Sequence, residues 1–256
     1  MQFRSCVSKG SRFNQVYIPK SMEKTIEPGD LVEVRLLKKR FRLFYSKNLQ
    51  KLTEFKESII KRIFSITGEF ENVETTFIVG SFLAEKIDYN DIDVVLLVSK
   101  KSESLEKEVY SQLVNELNLK FHILAIEKQR FGHLIEACPL TRVMFSSFIS
   151  SKETAIPEKR VIDKNHIKFL LMMPSDLLEI KLSSRAFYDS LRRLITIEKF
   201  LDNQALDVKI INSELNKLIG DKLFQRIKNN EEIEQKSIDD LRKIIKDKIG
   251  KIYRLL

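Results

Sequence analysis

Two aspartates separated by one residue, Asp91 and Asp93, stand where the chain enters an apolar stretch with the pattern of a strand. Side chains two positions apart on a strand point to the same face, so the two carboxylates converge. Converging carboxylates repel each other unless a divalent cation joins them. Mg²⁺ takes carboxylate oxygens and shares them with substrate phosphates. The pattern therefore predicts that Asp91 and Asp93 are catalytic residues that hold Mg²⁺ or Mn²⁺.

A second polar feature comes just before these aspartates, where an apolar strand ends in Gly80 and Ser81. Glycine has no Cβ and leaves room for a phosphate to approach the backbone. Ser81 offers a hydroxyl, and the amides at the start of the following turn face an anion. We predict that Gly80 and Ser81 bind the phosphates of a nucleotide.

The elements that must position these residues follow from the spacing of apolar side chains. Helical spacing predicts an amphipathic helix from Lys47 to Ile66 that ends at Gly68, and its stripe includes one charged residue, Lys56. Strands and a helix alternate from Thr75 to Ile126, as in an α/β layer. From Pro174 onward only helical patterns remain, which predicts a helical bundle.

Composition limits the class of protein. The 256 residues carry a net charge of +9 and contain no apolar run of the roughly 20 residues that span a bilayer, so we expect no membrane partner. Two distant cysteines, and a start without a leader pattern, predict a cytoplasmic protein. The positive charge favours phosphate-bearing partners. A thermophile's Lys-, Glu- and Ile-rich composition explains it equally well.

Together, Gly80, Ser81, Asp91 and Asp93 resemble the signature of the DNA polymerase β-type nucleotidyltransferase superfamily. The resemblance covers Thr75 to Glu127. It implies a metal-dependent enzyme that transfers a nucleoside monophosphate from a nucleoside triphosphate such as ATP to a hydroxyl on a protein, an RNA or a small molecule.

The third carboxylate of that superfamily has no clear counterpart in this chain. Aligned through His122, its usual place on the next strand is taken by Lys120, and Glu127 belongs to the opposite face. We expect Lys120 to project toward Asp91 and Asp93 and to be a nucleotide-binding residue beside an incomplete carboxylate triad. The alternative is a catalytically degenerate nucleotide-binding regulator, with His122 in a structural role.

The N-terminal stretch from Lys9 to Lys20, together with Ile26 to Val34, is similar to the AbrB-type swapped-hairpin module. In that module Gly29 and Asp30 supply the tight turn into a second strand, which contains Leu31, Val32 and Val34. The resemblance implies a homodimer and an antitoxin-like regulator. A hairpin packed on its own chain is the other interpretation. The basic run from Lys38 to Arg42 is either a nucleic-acid contact or a solvated charge run.

These patterns predict an α+β protein with three parts. Residues 1–45 form an AbrB-like β-hairpin module, residues 46–173 a nucleotidyltransferase-like α/β domain with a mixed sheet, and residues 174–256 a helical bundle.

Overall fold

A computed structural model describes residues 3–35, 41–47, 49–84, 89–180 and 183–256. It is an α+β structure with two compact units, Met1–Arg40 and Phe41–Leu256. In the first unit, β1 (Val7–Lys9) pairs antiparallel with β2 (Asn14–Val16). This unit thus contains a small antiparallel hairpin, but the predicted second strand of the hairpin module, within residues 26–34, takes no part in it.

The second half of this N-terminal unit contains a turn, and residues 31–35 after it have no regular secondary structure. The Asp30 amide donates to the Glu27 carbonyl (3.1 Å), and the Glu27 amide donates to the Asp30 carboxylate (2.8 Å). Gly29 has a φ of +108°, which glycine adopts without strain. The turn predicted here is confirmed. Residues 31–35, for which the pattern predicted a strand, belong to no strand in the single chain.

The larger unit contains a mixed five-stranded sheet in the order β3-β7-β4-β5-β6. The strands are β3 (Phe44–Tyr45), β4 (Val73–Val79), β5 (Ile92–Val98), β6 (Phe121–Glu127) and β7 (Ile149–Ser150). Only β5 and β6 run parallel, joined through α2 (Leu105–Leu117); the other neighbours are antiparallel. This confirms the predicted mixed sheet.

Each face of the sheet is covered by its own apolar core. One face packs against α2 and α1 (Glu54–Thr67), with Ile78, Ile92 and Val94 in that core. The other face packs against α3 (Lys128–Ala137) through Phe77, Val79 and Val95. Asp93 lies between Ile92 and Val94 along β5. Because successive side chains of a strand point to opposite faces, the Asp93 side chain lies on the face that packs against α3.

A third core lies within the C-terminal helices and is centred on the long amphipathic helix α6 (Ser184–Leu201). Short α4 (Pro139–Met144) contributes Val143 to this core. The remaining helices are α5 (Lys164–Asp176), α7 (Val208–Ile219), α8 (Asp221–Lys228) and α9 (Gln235–Leu255). None of the helices in the described ranges is both long and apolar enough to cross a bilayer.

The helical region begins earlier than the sequence predicted, because Pro174 lies inside α5 rather than at a boundary. Proline has no N–H, so the Leu170 carbonyl one turn earlier loses its usual donor. The Arg193 guanidinium of α6 donates to that carbonyl instead (3.3 Å). A contact from a distant part of the chain thus allows the helix to continue through its proline.

Helix α1 starts seven residues later than predicted and ends where predicted. The Thr53 hydroxyl accepts from the Lys56 amide (3.4 Å) and caps its first turn, whereas Leu49 closes a separate turn onto Ser46. Gly68 follows its last residue. Helices α3, α4, α5 and α8 were not predicted.

The helical core contains a buried ion pair whose disruption should be costly. The Lys248 ammonium of α9 lies 2.6 Å from the Glu198 carboxylate of α6, and the Glu198 side chain is 5% exposed. Removing one partner of such a pair leaves an unpaired buried charge and costs about 3–5 kcal/mol. We expect Lys248→Met to lower the free energy of unfolding in urea by about 3 kcal/mol.

The double variant Glu198→Leu/Lys248→Met should recover most of this loss, because it leaves no buried charge. Lys246→Met, at an exposed position of the same helix, is the control and should change little. Equal losses in the single and double variants would show that the pair itself is not the cause.

Candidate metal and nucleotide site

The centre of the candidate site is the contact between Gly80 and Asp93. Gly80 ends β4 with φ +78° and ψ −158°, and its neighbour Val79 pairs with Asp93 across the antiparallel β4–β5 ladder. A Cβ built on Gly80 would lie 2.0 Å from Asp93 Oδ2. The space left by the missing side chain therefore admits the Asp93 carboxylate. Phosphate binding by the backbone of Gly80 stays a prediction.

Asp93 is also in contact with the neighbouring parallel strand. His122 is its register partner on β6, and His122 Nδ1 lies 3.2 Å from Asp93 Oδ1. Burial raises the pKa of Asp93, the hydrogen bond from His122 lowers it, and the negative charge of Asp91 raises it, with a net upward shift. The two aspartates thus interact, as their spacing predicted. The imidazole is 72% exposed, so it is open to solvent on its other side.

Lys120 does not make the contact expected of it. It precedes β6, and its carbonyl accepts from the Ile92 amide (3.0 Å), so its backbone continues the β5–β6 ladder. Its side chain is exposed and forms no ion pair with Asp91 or Asp93 among the described residues. The expected projection of Lys120 toward the carboxylates stays a prediction, and the basic group in contact with Asp93 is His122. Lys120 as a nucleotide-binding residue stays a prediction.

Ser81 begins a single 3₁₀ turn, Ser81–Leu83, which is the turn that the sequence predicted at this point. The Leu83 amide donates to the Gly80 carbonyl (3.3 Å), and the Ala84 amide donates to the Ser81 carbonyl (3.0 Å). Gly80 and Ser81 are exposed, whereas Leu83 is buried in the α1 and α2 core. An exposed Ser81 hydroxyl thus lies one residue from the glycine that contacts Asp93.

Lys56 is a polar residue near the site that sequence reasoning did not assign to it. Its ammonium donates to the carbonyls of Phe82 (2.8 Å) and Ala84 (2.6 Å) and lies 5.8 Å from the centre of the Tyr89 ring. Burial lowers the pKa of Lys56. The sequence contains one signal for this role: Lys56 lies in the apolar stripe of the predicted helix, where a charged side chain is buried and needs a polar partner.

The residues present suit a divalent cation in their chemistry. Asp91 and Asp93 are hard oxygen donors, and the charge of Asp91 disfavours ionisation of Asp93, a repulsion that a cation would relieve. In the part of the chain that the structure describes, no group of three or more His, Cys, Asp or Glu side chains is arranged to hold a metal. Glu127 contributes nothing here, since it pairs with Val98 at the far end of the β5–β6 ladder.

Comparison with models of known protein families, with curated proteins and with solved structures finds no match for this chain.

The raised pKa of Asp93 predicts how the site affects stability. A carboxyl whose pKa is higher in the folded than in the unfolded state binds more protons when folded. Its contribution to stability therefore falls as the pH rises from about 4 through the folded pKa, and ionised Asp93 is unfavourable at pH 7. We expect Asp93→Asn to raise the melting temperature at pH 7 by about 1–3 °C.

The difference between Asp93→Asn and wild type should shrink toward pH 4, where Asp93 takes up a proton. Glu153→Gln, in an exposed loop, is the charge-matched control and should show no such trend. A lower melting temperature for Asp93→Asn at pH 7 in metal-free buffer would contradict the raised pKa.

Proposed function

We propose that this protein is a metal-dependent nucleotidyltransferase that transfers a nucleoside monophosphate from a nucleoside triphosphate to a hydroxyl acceptor. The observation that carries the proposal is the Asp93 carboxylate, part-buried against Gly80 and close enough to Asp91 for their charges to interact. Keeping such a charge costs stability. A binding role for the charge accounts for that cost, whereas a purely structural role does not.

In this proposal each part of the site has one task. Asp91 and Asp93 hold Mg²⁺ or Mn²⁺, which when bound neutralises charge on the triphosphate and on the released pyrophosphate. The exposed hydroxyl of Ser81 and the backbone of Gly80 contact phosphate oxygens. His122 holds the Asp93 carboxylate in place through its hydrogen bond. The exposed ammonium of Lys120 is available to a phosphate at the same end of the sheet.

A second candidate function is binding of a nucleotide without transfer, in a dimeric regulator of the antitoxin type. One observation favours it. The strand beside β5 brings an imidazole, His122, next to Asp93, and no carboxylate of the described part of β6 lies at that end of the sheet. A site with two carboxylates holds its metal less tightly than a site with three.

The metal site is tested by calorimetry with Mn²⁺ and a non-hydrolysable triphosphate. The double variant Asp91→Ala/Asp93→Ala should bind at least about 100-fold more weakly than wild type, since it removes both proposed ligands. Glu127→Ala removes an acidic residue from the other end of β6 and should bind as wild type does. Unchanged binding by the double variant would refute the site.

Transfer separates the two candidate functions. Wild-type protein is incubated with α-³²P-labelled triphosphates, Mn²⁺ and cell extract, and label is followed in protein, RNA and small-molecule fractions. The enzyme predicts label that depends on Asp91 and Asp93. Tight binding of triphosphate by wild type, with no transfer to any fraction, supports the regulator.

We also propose that the N-terminal unit joins two copies of the chain. Its apolar side chains are exposed to an unusual degree: Leu31 is fully exposed, and Phe13 and Val34 are 78% and 64% exposed. Residues 31–35 form no helix or strand in the single chain, and a two-stranded sheet this small cannot close a core. A second copy would supply both the strand partners and the apolar surface.

Removal of residues 1–40 tests this pairing, because the remaining residues 41–256 form a compact unit of their own. Light scattering should give twice the chain mass for the full protein and a single chain mass for the truncated one. The full-length variant Leu31→Asp/Val34→Asp should also be monomeric, since it places charges in the proposed interface. Glu33→Gln, an exposed polar position between them, is the control. A dimer that survives truncation would contradict the proposal.

Only part of the basic run expected to contact nucleic acid lies among the described residues. Lys38, Lys39 and Arg40 lie outside the described residues. Arg42 is exposed, and its guanidinium lies 5.3 Å from the centre of the Phe44 ring. Nucleic-acid binding by this run stays a prediction.

A further inference from the structure

Residues 82–90 connect the two halves of the candidate site, and a lysine from another element contacts the described ends of this connection, 82–84 and 89–90. Gly80 and Ser81 lie on one side of this connection, and Asp91 and Asp93 on the other. The Lys56 side chain extends from the first turn of α1 to reach it.

Lys56 contacts the connection at both of its ends. Its ammonium donates to the carbonyls of Phe82 and Ala84, which follow Ser81, at 2.8 and 2.6 Å. It also lies 5.2 Å from the centre of the Phe82 ring and 5.8 Å from that of Tyr89, which precedes Asp91 by two residues. The Phe82 and Tyr89 rings pack edge to face, 4.8 Å apart. One cation therefore joins the residue after Ser81 to a residue just before Asp91.

The chemistry of the position explains why a lysine is there. Lys56 is 5% exposed and belongs to the apolar stripe of α1, where methionine or leucine would avoid the cost of burying a charge. An apolar residue could not supply donors to two carbonyls at the end of a one-turn helix. The ammonium has three donors and meets both carbonyls from one point.

Helix α1 is a rigid base for this contact. Ile60, Ile63 and Phe64 bury it against the sheet, and the Thr67 hydroxyl at its last residue bonds to the Thr76 hydroxyl of β4 (2.7 Å). Because α1 is fixed to the sheet at this far end, the position of Lys56 at its near end is fixed relative to β4 and β5. Through its hydrogen bonds to the Phe82 and Ala84 carbonyls, the Lys56 side chain fixes this end of the connection relative to β4 and β5.

We infer that Lys56 is a positioning residue that sets Ser81 relative to Asp91 and Asp93 by holding the connection between them, and so determines the affinity for metal and triphosphate. The inference rests on the proposed function and adds a residue that touches neither ligand. Conserving the two carbonyl contacts should conserve affinity, whereas losing them should lower it without unfolding the protein.

The test compares full-length Lys56→Met, Lys56→Arg and wild type, with Lys61→Met as the control at an exposed position of the same helix. Calorimetry with Mn²⁺ and a non-hydrolysable triphosphate is done at a temperature where circular dichroism shows every variant folded. We expect Lys56→Met to raise the Kd about tenfold or more. Lys56→Arg keeps several donors and should recover most of the affinity.

Hydrogen exchange gives a second readout that does not depend on a ligand. The Leu83 and Ala84 amides should exchange faster in Lys56→Met, because their 3₁₀ turn loses the contact that holds its carbonyls. Peptides from β4 and β5 should exchange as in wild type. If Lys56→Met does not fold, Tyr89→Leu takes its place, since it removes one ring contact at a half-buried position and should show the same changes at smaller size.

The outcomes separate this inference from the proposed function. Folded Lys56→Met with wild-type Kd and wild-type exchange would overturn the positioning role and leave the function standing. A wild-type protein that binds no triphosphate would refute the function, and exchange alone would then decide the role of Lys56. Faster exchange confined to residues 81–84 would support it, and faster exchange spread over the whole sheet would overturn it.

Discussion

The approach of one carboxylate to one glycine is the constraint on which this site depends. A Cβ on residue 80 would lie 2.0 Å from Asp93 Oδ2, so any other residue at Gly80 would force the Asp93 carboxylate to move. The positive φ of Gly80 adds a second reason for glycine, because that conformation is strained for residues with side chains. The carboxylate is thereby fixed at the end of the sheet, beside the turn that carries Ser81.

The rest of the larger unit can be understood as support for that contact. The two apolar cores hold β4 and β5 in register, and β6 brings His122 to the other side of Asp93. On the outer edge of β6, the Glu106 carboxylate accepts from the Ala125 amide (2.8 Å), which satisfies a donor that the sheet leaves open. The site thus combines a rigid apolar base with a charged group whose burial is unfavourable, an arrangement typical of functional sites.

Local patterns predicted the parts of the site that are close in sequence. The glycine and serine at the end of β4, the turn after them and the interacting pair Asp91 and Asp93 all follow from residue type and spacing. The contact of Asp93 with His122 was not predicted, because it depends on the register between β5 and β6, which one strand's sequence does not specify. The contact between Gly80 and the Asp93 carboxylate was not predicted for a similar reason, since Asp93 comes from the neighbouring strand.

Predictions from local sequence were incomplete where a residue distant along the chain forms the deciding hydrogen bond. Pro174 predicts the edge of a helix, but Arg193 supplies the missing donor and the helix continues. Lys56 was predicted to lie in the apolar stripe of its helix, but the carbonyls that bind its ammonium are 26 and 28 residues away along the chain. Composition and periodicity describe neither contact. The α+β class and the mixed sheet were predictable because they depend on many side chains at once.

The most direct test of the central claim is anomalous diffraction from crystals of the full chain soaked with Mn²⁺ and a non-hydrolysable nucleoside triphosphate. Mn²⁺ shares the oxygen ligands of Mg²⁺ and gives a measurable anomalous signal. The account predicts a manganese peak within ligand distance of both Asp91 and Asp93, with triphosphate oxygens on the same ion and a phosphate beside Ser81. Ordered triphosphate and manganese bound elsewhere, with Asp93 still held only by Gly80 and His122, would contradict it.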